Sequence, residues 1–383
     1  MEYDYKKLAD ILAAQSEERM IDGMPCIYKK SPVTPEGYMD VRESMIAHAK
    51  KADMTARPEN YPKNMIDNIP HLFTDPNAGG GCVFDGIPIG YLRASMGWDN
   101  VDLSQGVETT SLCIEGRHGD IPLRVYTPSG PEKNRGCMMF IHGGGFMGGS
   151  LDVVENPCKL IAQLADIVVV SVDYRLCPEH RFPAGFDDCY DTLSWIYEEG
   201  CEKLHIDPEK LCVGGDSAGG NLSAVCCLKD RDEGKHRIKY AALLYPTVMR
   251  TDGSEYEGYH WSREMYNNKG SDAAVDRAVS GIREMNPMVN KAYLDNEADV
   301  HNPYVAPLSA KNLENLPKTL IVNAEYDFLT AEGCLYAKRC KAAGVDVRWM
   351  IYGGVGHAFI DKLGFFPQAQ DCIAEIVKDL KEL

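Results

Sequence analysis

A single serine lies among four glycines in the segment LCVGGDSAGGNL, which spans Leu211–Leu222. The pattern GxSxG runs from Gly215 to Gly219, with Ser217 at its centre. An apolar run precedes it and a run of helical character follows it, so the sequence predicts a strand, a sharp turn and a helix. A helix N-terminus beneath the hydroxyl favours developing negative charge. Ser217 is therefore a candidate nucleophile, and a solvated loop serine is the alternative.

A second glycine-rich turn, HGGGF at His142–Phe146, directly follows the apolar run CMMFI. Acyl transfer at a serine needs hydrogen-bond donors for the oxyanion, and backbone amides outside strand pairing suit that role. We expect these donors to be the amides of Gly143 and Gly144, joined by that of Ala218. A flexible loop or a phosphate cradle is the alternative, but a phosphate-binding loop requires a lysine after its glycines, and none follows here.

A serine nucleophile needs a histidine base, and the base needs a carboxylate that fixes its tautomer. In GxSxG enzymes the acid and then the histidine follow the serine along the chain. Of the histidines after Ser217, His357 follows a predicted strand that ends in a glycine-rich loop, whereas we interpret the others as surface residues: His236, His260 and His301. The strand TLIVNAEYD offers Glu325 and Asp327 as acids. We favour Asp327 because it lies just past the strand, with helix capping as its alternative role.

The candidate residues require a sheet that brings them to one edge. From Val107 onward, continuous β-branched runs alternate with helix-period segments, which indicates parallel strands covered on both faces and an α/β fold class. We expect an N-terminal extension or cap region over 1–106 and a catalytic domain over 107–383, with a cap insertion at about 250–300. Because ligands bind beyond the carboxyl ends of such strands, the N-terminal region and the insertion are expected to roof the site.

The insertion also carries an aromatic cluster, for which packing is the expected role and substrate contact the alternative: Tyr256, Tyr259, Trp261 and Tyr266. The sequence before residue 107 is irregular by comparison, with short amphipathic pieces such as MDVRESMIAHAKKADM. Its pattern is not that of a core element.

The composition of the chain limits the classes of molecule that it is expected to bind. The 383 residues carry a formal net charge of −17, which opposes phosphate backbones and anionic lipid surfaces. We therefore expect no nucleic acid and no membrane partner, and a small neutral substrate fits better. The 14 cysteines lie largely in apolar runs, where a thiol acts as a small hydrophobe, and no CxxC pair supports a metal site.

The first twenty residues lack the apolar stretch of a signal peptide, so the expected location is the cytoplasm. The predicted chemistry requires no metal and no organic cofactor. The oligomeric state is left open, a homo-oligomer included.

Several segments together resemble the hormone-sensitive lipase-like family of α/β-hydrolase carboxylesterases, in the branch that carries GDSAG. They are HGGGF at His142–Phe146, DYRLCPEHRFPA at Asp173–Ala184, GDSAGGNL at Gly215–Leu222, AEYDFL at Ala324–Leu329 and GHAF at Gly356–Phe359. The resemblance covers about Val107 to the C-terminus. It implies an α/β-hydrolase fold, with a mostly parallel sheet, helices on both faces, and a cap formed by the N-terminal region and the insertion.

The same resemblance implies Ser217 as nucleophile, Asp327 as acid and His357 as base, with the HGGG amides and Ala218 as the oxyanion hole. Departures from the family pattern at Cys177, Phe328 and Ala358 remove no catalytic group. The N-terminal portion looks longer than a typical member's cap, which affects substrate choice more than chemistry.

The sequence thus predicts a serine carboxylesterase that hydrolyses short-chain, acetyl-like esters through an acyl-enzyme. Two alternatives stay open: an amide or N-acetyl hydrolase of the same fold, and a non-catalytic small-molecule binding protein on this fold. Plant gibberellin receptors resemble the family but lack the histidine base, so the presence of His357 favours an enzyme. A long-chain lipase is disfavoured, because no segment resembles a basic interfacial helix.

Overall fold

The structure, a computed structural model, describes residues 4–34, 38–40, 83–84, 87–94, 96–97, 100–131, 133–266 and 272–383. Its strands are β1 (Glu17–Ile21), β2 (Met24–Lys29), β3 (Val83–Phe84), β4 (Ile87–Pro88), β5 (Val107–Gly116), β6 (Gly119–Pro128), β7 (Arg135–Ile141), β8 (Val168–Val172), β9 (Ile206–Asp216), β10 (Ile238–Leu244), β11 (Lys318–Tyr326) and β12 (Val347–Gly356).

The α-helices within these residues are α1 (Tyr5–Ala13), α2 (Ile89–Ala94), α3 (Leu151–Ala165), α4 (Ala184–Trp195), α5 (Ala218–Asp232), α6 (Asp272–Tyr293), α7 (Thr330–Ala342) and α8 (Pro367–Leu380). A π turn and a further helical turn continue α4 over Ile196–Gly200 and Cys201–Lys203. Short 3₁₀ turns lie at Arg263–Tyr266, Glu297–His301, Pro307–Ser309 and Phe359–Lys362.

A ten-stranded sheet forms the centre of the molecule, in the order β1-β2-β12-β11-β10-β9-β7-β8-β6-β5. Strands β2, β12, β11, β10, β9, β7 and β8 run parallel, and antiparallel strands complete both edges. Every residue of β8 (VVVSV) is buried, as a strand covered on both faces requires. The α/β fold class and the mostly parallel sheet expected from the sequence are confirmed.

Successive side chains of each strand point to opposite faces, and each face is covered by helices. In β7, Met139 packs in the cluster that contains Leu222 of α5 and Leu335 of α7. The next residue, Phe140, packs on the other face in the cluster that contains Ile161 of α3 and Ile373 of α8. The two clusters hold the sheet rigidly, so that the loops at its carboxyl edge have fixed positions.

Strand register brings the predicted site segments together at that edge. Ile141 of β7 pairs with Gly215 of β9, so the HGGGF turn lies beside the GxSxG turn. Leu244 of β10 pairs with Asp216 on one side and with Val322 of β11 on the other. On the far side of β11, β12 ends directly before His357. The four segments therefore leave adjacent strands in the same direction.

The N-terminal region differs from the expected organisation. Strands β1 and β2 form a hairpin that extends the main sheet, with Ile27 paired to Met350 of β12. The burial pattern of β2 shows the reason, because Met24, Cys26 and Tyr28 are buried with period two. The boundary expected at residue 106 therefore does not separate the elements of the sheet.

The segment MDVRESMIAHAKKADM lies outside the described residues. In the expected insertion, the described part consists mainly of helix α6 and the short turns around it. No helix in the described part of the chain combines the length and apolar character needed to cross a bilayer.

Candidate active site

Ser217 occupies the turn between β9 and α5 in a strained backbone conformation, with φ of 54° and ψ of −115°. Positive φ is costly for a residue with a side chain, and such strain is found where a surrounding structure enforces it. Here the Ser217 amide donates to Leu244 O at 2.8 Å, and the Ser217 carbonyl accepts from the Asn221 amide at 3.0 Å. The serine hydroxyl is thereby held out at the carboxyl edge of the sheet.

The glycines of the turn are required by close packing. A Cβ atom at Gly219 would overlap the carbonyl oxygen of Ile141, and one at Gly215 would lie 2.5 Å from the same oxygen. Only glycine lets the start of α5 approach the end of β7 this closely. The pattern GxSxG is therefore explained by the contact between two strands and a helix.

The hydroxyl of Ser217 contacts a histidine that contacts a carboxylate. His357 Nε2 lies 2.9 Å from Ser217 Oγ, and His357 Nδ1 lies 2.7 Å from Asp327 Oδ2. A carboxylate can only accept, so Nδ1 carries the proton and Nε2 is free to accept one from Ser217. These contacts have the geometry of a nucleophile, base and orienting acid.

Neighbouring groups fix the positions of both Asp327 and His357. Asp327 is fully buried, and its Oδ1 accepts from the Leu329 amide at 3.0 Å. The hydroxyl of Tyr266 donates to the backbone carbonyl of Asp327 at 2.9 Å. The ring of Tyr245 meets that of His357 edge to face, with 4.8 Å between their centroids. The imidazole therefore has little freedom to leave its position between Ser217 and Asp327.

The other residues considered as the acid or the base lie outside these contacts. Glu325 accepts from the Gly354 amide at 2.8 Å, whereas Asp327 reaches the histidine ring. Of the four candidate histidines, all of them described, His357 contacts Ser217 and the other three are exposed: His236, His260 and His301.

The aromatic residues of the insertion pack rather than line the cavity at Ser217. Tyr256 bonds Ser309 Oγ at 2.6 Å, and Tyr266 bonds the Asp327 carbonyl. Tyr259 and Trp261 line an adjoining depression, which shares Arg250 and Asn286 with that cavity. The described contacts of Tyr256 and Tyr266 are therefore packing contacts, the role expected of the cluster, whereas substrate contact stays an alternative for Tyr259 and Trp261.

The HGGGF turn lies beside Ser217, but its first glycine amide is already engaged. The amide of Gly143 donates to Asp216 Oδ1 at 2.7 Å. Among the described residues, the amides of Gly144 and Gly145 donate to no other group. The expected use of Gly143 as an oxyanion donor therefore conflicts with this contact, because one amide hydrogen cannot serve both acceptors well.

Asp216 is almost fully buried. Burial raises the pKa of its carboxyl to about 6, while the Gly143 amide and the charge of His357 favour the ionised form. The carboxylate thus holds the HGGGF turn against the serine turn. This role of Asp216 was not among the expectations from the sequence, although an acid directly before Ser217, at the same edge as the HGGG turn, was the available signal.

The buried side chain of His142 stabilises the HGGGF turn. Its ring is 1% exposed and stacks on Tyr174 with 4.5 Å between centroids, and Nδ1 lies 2.8 Å from the Gly143 carbonyl. The Tyr174 hydroxyl donates to the His142 carbonyl at 2.9 Å. Burial lowers the pKa of His142 to about 4, so the ring is neutral near pH 7. Its role is to position the loop and not to carry protons.

A cavity of about 240 Å³ opens over Ser217 and His357. The HGGGF turn forms one wall, and apolar side chains form much of the rest: Met96, Val153, Ile282, Met285, Val289 and Leu329. Met96 precedes residue 107 and Ile282 belongs to α6, so both regions expected to roof the site contribute to its lining. The arrangement suits attack on a small, largely apolar molecule.

Comparison with known proteins agrees with this geometry. Residues 138–361 match a family described as alpha/beta hydrolase fold. Carboxylic ester hydrolase LipN of Mycobacterium tuberculosis is 36% identical over 260 residues, which is 67% of this chain and 65% of LipN. Carboxylesterase NlhH of the same organism is 32% identical over 316 residues, which is 80% of this chain and 92% of NlhH.

Among solved structures, the protein is similar to EstE1, a thermophilic and thermostable carboxylesterase cloned from a metagenomic library. The TM-score is 0.64 at 32% sequence identity, and the match covers 73% of this chain and 90% of EstE1. The fold, the site geometry and these relatives lead to one assignment. The chain belongs to the α/β-hydrolase family, in the hormone-sensitive lipase-like branch whose relatives are carboxylic ester hydrolases.

Proposed function

We propose that the protein is a serine carboxylesterase that cleaves short-chain, acetyl-like esters through an acyl-enzyme on Ser217. The observation that carries the proposal is the chain of contacts at the cavity floor, with 2.9 Å between Ser217 Oγ and His357 Nε2 and 2.7 Å between His357 Nδ1 and Asp327 Oδ2. Few groups other than a nucleophile and its base require this arrangement on a strained turn.

In the first half-reaction, Ser217 Oγ bonds to the carbonyl carbon of the ester while its proton passes to His357 Nε2. The carboxylate of Asp327 stabilises the resulting imidazolium. The bond from carbon to the leaving oxygen then breaks as His357 returns the proton to that oxygen, which releases the alcohol and leaves the acyl group on Ser217. In the second half-reaction, water gives its proton to His357 and attacks the acyl carbon, and Ser217 regains a proton as the acid leaves.

The oxyanion in both half-reactions needs amide donors. We assign this role to Gly144, Gly145 and Ala218, in place of the Gly143, Gly144 and Ala218 expected from the sequence. The engagement of Gly143 with Asp216 supports the change. Backbone amides at a helix N-terminus and in a fixed turn suit the role, because they need no reorganisation as charge develops.

Two further features of the proposal rest on composition and size. A cavity of about 240 Å³ favours short acyl groups over long ones, since each added methylene needs room. The cysteines among the described residues are free thiols, most of them buried, which is typical of a reducing compartment and supports a cytoplasmic location.

The test is hydrolysis of 4-nitrophenyl acetate, butyrate, octanoate and palmitate by the wild type and by Ser217→Ala. The control is Ser129→Ala, which changes an exposed serine in a turn distant from the cavity. We expect turnover of acetate and butyrate in the wild type and the control, and its loss in Ser217→Ala. Equal turnover in all three proteins would contradict the proposal.

The same assay separates the alternatives. Preferential cleavage of 4-nitroacetanilide over 4-nitrophenyl acetate would favour an amide or N-acetyl hydrolase. Absence of turnover for every ester and amide, with a folded protein, would favour a binding protein on this fold.

A further inference from the structure

Arg250 is a buried cation on the wall of the catalytic cavity. Its side chain lies beyond the carboxyl end of β10, is 3% exposed, and lines the cavity together with Ser217 and His357. Charged side chains are almost never fully buried unless they are paired. The role of Arg250 in the cavity therefore depends on which hydrogen bonds and ion pairs its guanidinium forms.

Two of the three guanidinium nitrogens have partners. Nε donates to Asn290 Oδ1 at 2.8 Å, and Nη1 donates to Thr247 Oγ1 at 3.1 Å. The guanidinium carbon lies 5.7 Å from the centre of the Phe146 ring, which follows the oxyanion loop. Nη2 is buried and has no hydrogen-bond partner. The guanidinium is thus held by neutral groups, and both hydrogens of Nη2 are left without an acceptor.

The positive charge is also left without a counter-charge. Among the residues that the structure describes, no carboxylate forms an ion pair with Arg250, and the acid with the largest influence on it is the buried Glu332. Burial raises the pKa of Glu332 to about 8, so that carboxyl is largely neutral near pH 7. Burial lowers the pKa of Arg250, but arginine stays protonated in proteins.

We propose that the Arg250 guanidinium binds a carboxylate carried by the substrate, so that the preferred substrates are esters with an anionic group. This inference rests on the proposed function and narrows its substrate class. A planar guanidinium with free donors on the wall of a largely apolar cavity suits a carboxylate, since charge-assisted hydrogen bonds of this kind are the strong ones. Nη2 gains a partner and the buried charge gains a counter-ion only when such a substrate is bound.

The net charge of −17 led us to expect a neutral substrate. That charge is a sum over the whole protein, and exposed charges are screened beyond about 10 Å in ordinary salt. A buried cation at the cavity wall is screened much less. Arg250 therefore determines which substrates bind within the cavity, whereas the surface charge affects only the approach of the substrate.

The test compares anionic esters with neutral esters of the same shape. Monoethyl succinate carries its carboxylate on the acyl side and is matched by ethyl 4-methylpentanoate. Acetoxyacetate carries its carboxylate on the alcohol side and is matched by isobutyl acetate. In each pair an isopropyl group replaces the carboxylate, and proton release at about pH 7.5 gives kcat/KM without a chromophore.

We expect the wild type to prefer the anionic member of one pair by about tenfold to a hundredfold, the range that a hydrogen bond to a charged group supports. The pair that shows the preference identifies the side of the ester that faces Arg250. Arg250→Met should bring the ratio near one, and Arg250→Lys should retain part of it. The control Arg283→Met removes an exposed charge from α6 outside this cavity and should keep the wild-type ratio.

A binding measurement keeps the inference separate from catalysis. Monoethyl succinate and acetoxyacetate are titrated calorimetrically into Ser217→Ala and into the double variant Ser217→Ala, Arg250→Met, both checked for folding by thermal unfolding. Tighter binding of one anion to the single variant is the expected result. Equal binding to both variants, together with equal turnover of anionic and neutral esters, would overturn the inference and leave the proposed esterase standing.

If no ester is turned over but the anion binds in an Arg250-dependent way, the proposed function fails and the anion site stands. Should Arg250→Met be unfolded, the Arg250→Lys ratio and the Ser217→Ala titration against the neutral esters still decide the matter. A Ser217→Ala protein that binds each neutral ester as tightly as its anionic partner would contradict the inference.

Discussion

The backbone amide of Gly143 donates a 2.7 Å hydrogen bond to Oδ1 of Asp216, and this contact joins the HGGGF turn to the serine turn. Both residues lie where adjacent parallel strands end, so the bond fixes the distance between Ser217 and the proposed oxyanion donors. A buried acceptor that loses such a partner costs about 1–3 kcal/mol. The contact is therefore a positioning element, and its removal should affect catalysis more than binding.

Asp216→Ala should lower kcat by about tenfold to a hundredfold, because the freed Gly143 amide no longer holds the loop in place. Asp216→Asn keeps an oxygen acceptor for the Gly143 amide and should retain most of the wild-type kcat. Kinetics with 4-nitrophenyl acetate, with KM and kcat determined separately, give the comparison. Equal losses in both variants would contradict a role through this hydrogen bond.

Asp327→Asn should lower kcat by about 10⁴-fold, the loss that the same change causes in a serine protease, because the amide favours the wrong histidine tautomer. Glu325→Gln is the matched control, since its side chain still offers an oxygen to the Gly354 amide. Its kcat should stay within about threefold of the wild type, in line with a surface-type change. A larger loss in Glu325→Gln than in Asp327→Asn would show that the acid was misassigned.

Lys29→Met should lower the free energy of unfolding by about 3–5 kcal/mol, because it leaves the buried carboxylate of Asp371 without its cation and Glu375 with Arg348 alone. The Lys29 amine lies 3.2 Å from Asp371 and 3.0 Å from Glu375, both on α8. The control is Lys6→Met, which removes an exposed lysine from α1 and should change stability by less than about 0.5 kcal/mol. Urea unfolding of the three proteins measures the difference.

A small effect of Lys29→Met, similar to that of Lys6→Met, would contradict the placement of the N-terminal hairpin in the sheet. The measurement is informative because β2 and α8 are far apart in sequence and meet only in the folded state.

His142 should make stability depend on pH in the acidic range. Its pKa is about 4 in the folded protein against 6.5 when unperturbed, so between these values the unfolded chain binds more protons. The stabilisation is present above about pH 6.5 and is lost as the pH falls toward 4, by about 3 kcal/mol at about 1.4 kcal/mol per pKa unit. His142→Asn lacks the titrating ring and keeps a donor for the Gly143 carbonyl.

Urea unfolding of the wild type and His142→Asn between pH 4 and pH 7 gives the test. The stability advantage of the wild type should shrink steadily as the pH falls. Two parallel curves would show that His142 is not buried as the structure places it. Asp216 titrates in both proteins and cancels in the difference.

The sequence by itself predicted the candidate catalytic groups as far as type and order. Ser217, Asp327 and His357 each follow a predictable strand, and the carboxyl ends of parallel strands share one edge, so local patterns sufficed to bring them together. The glycines around Ser217 are equally local, because each answers a steric demand of the turn itself.

Only the tertiary structure determined which residues and strands contact one another. Gly143 meets Asp216 because Ile141 is registered with Gly215, and pairing register between strands cannot be read from either strand. The hairpin β1–β2 joins the sheet because β12 presents a free edge, and that edge exists only once the distant strands have assembled. Arg250 becomes a buried cation without a counter-charge only when α6 packs against it in the folded protein. Periodicity records which side of an element is buried, whereas hydrogen-bond partners and buried charges depend on which elements are packed together.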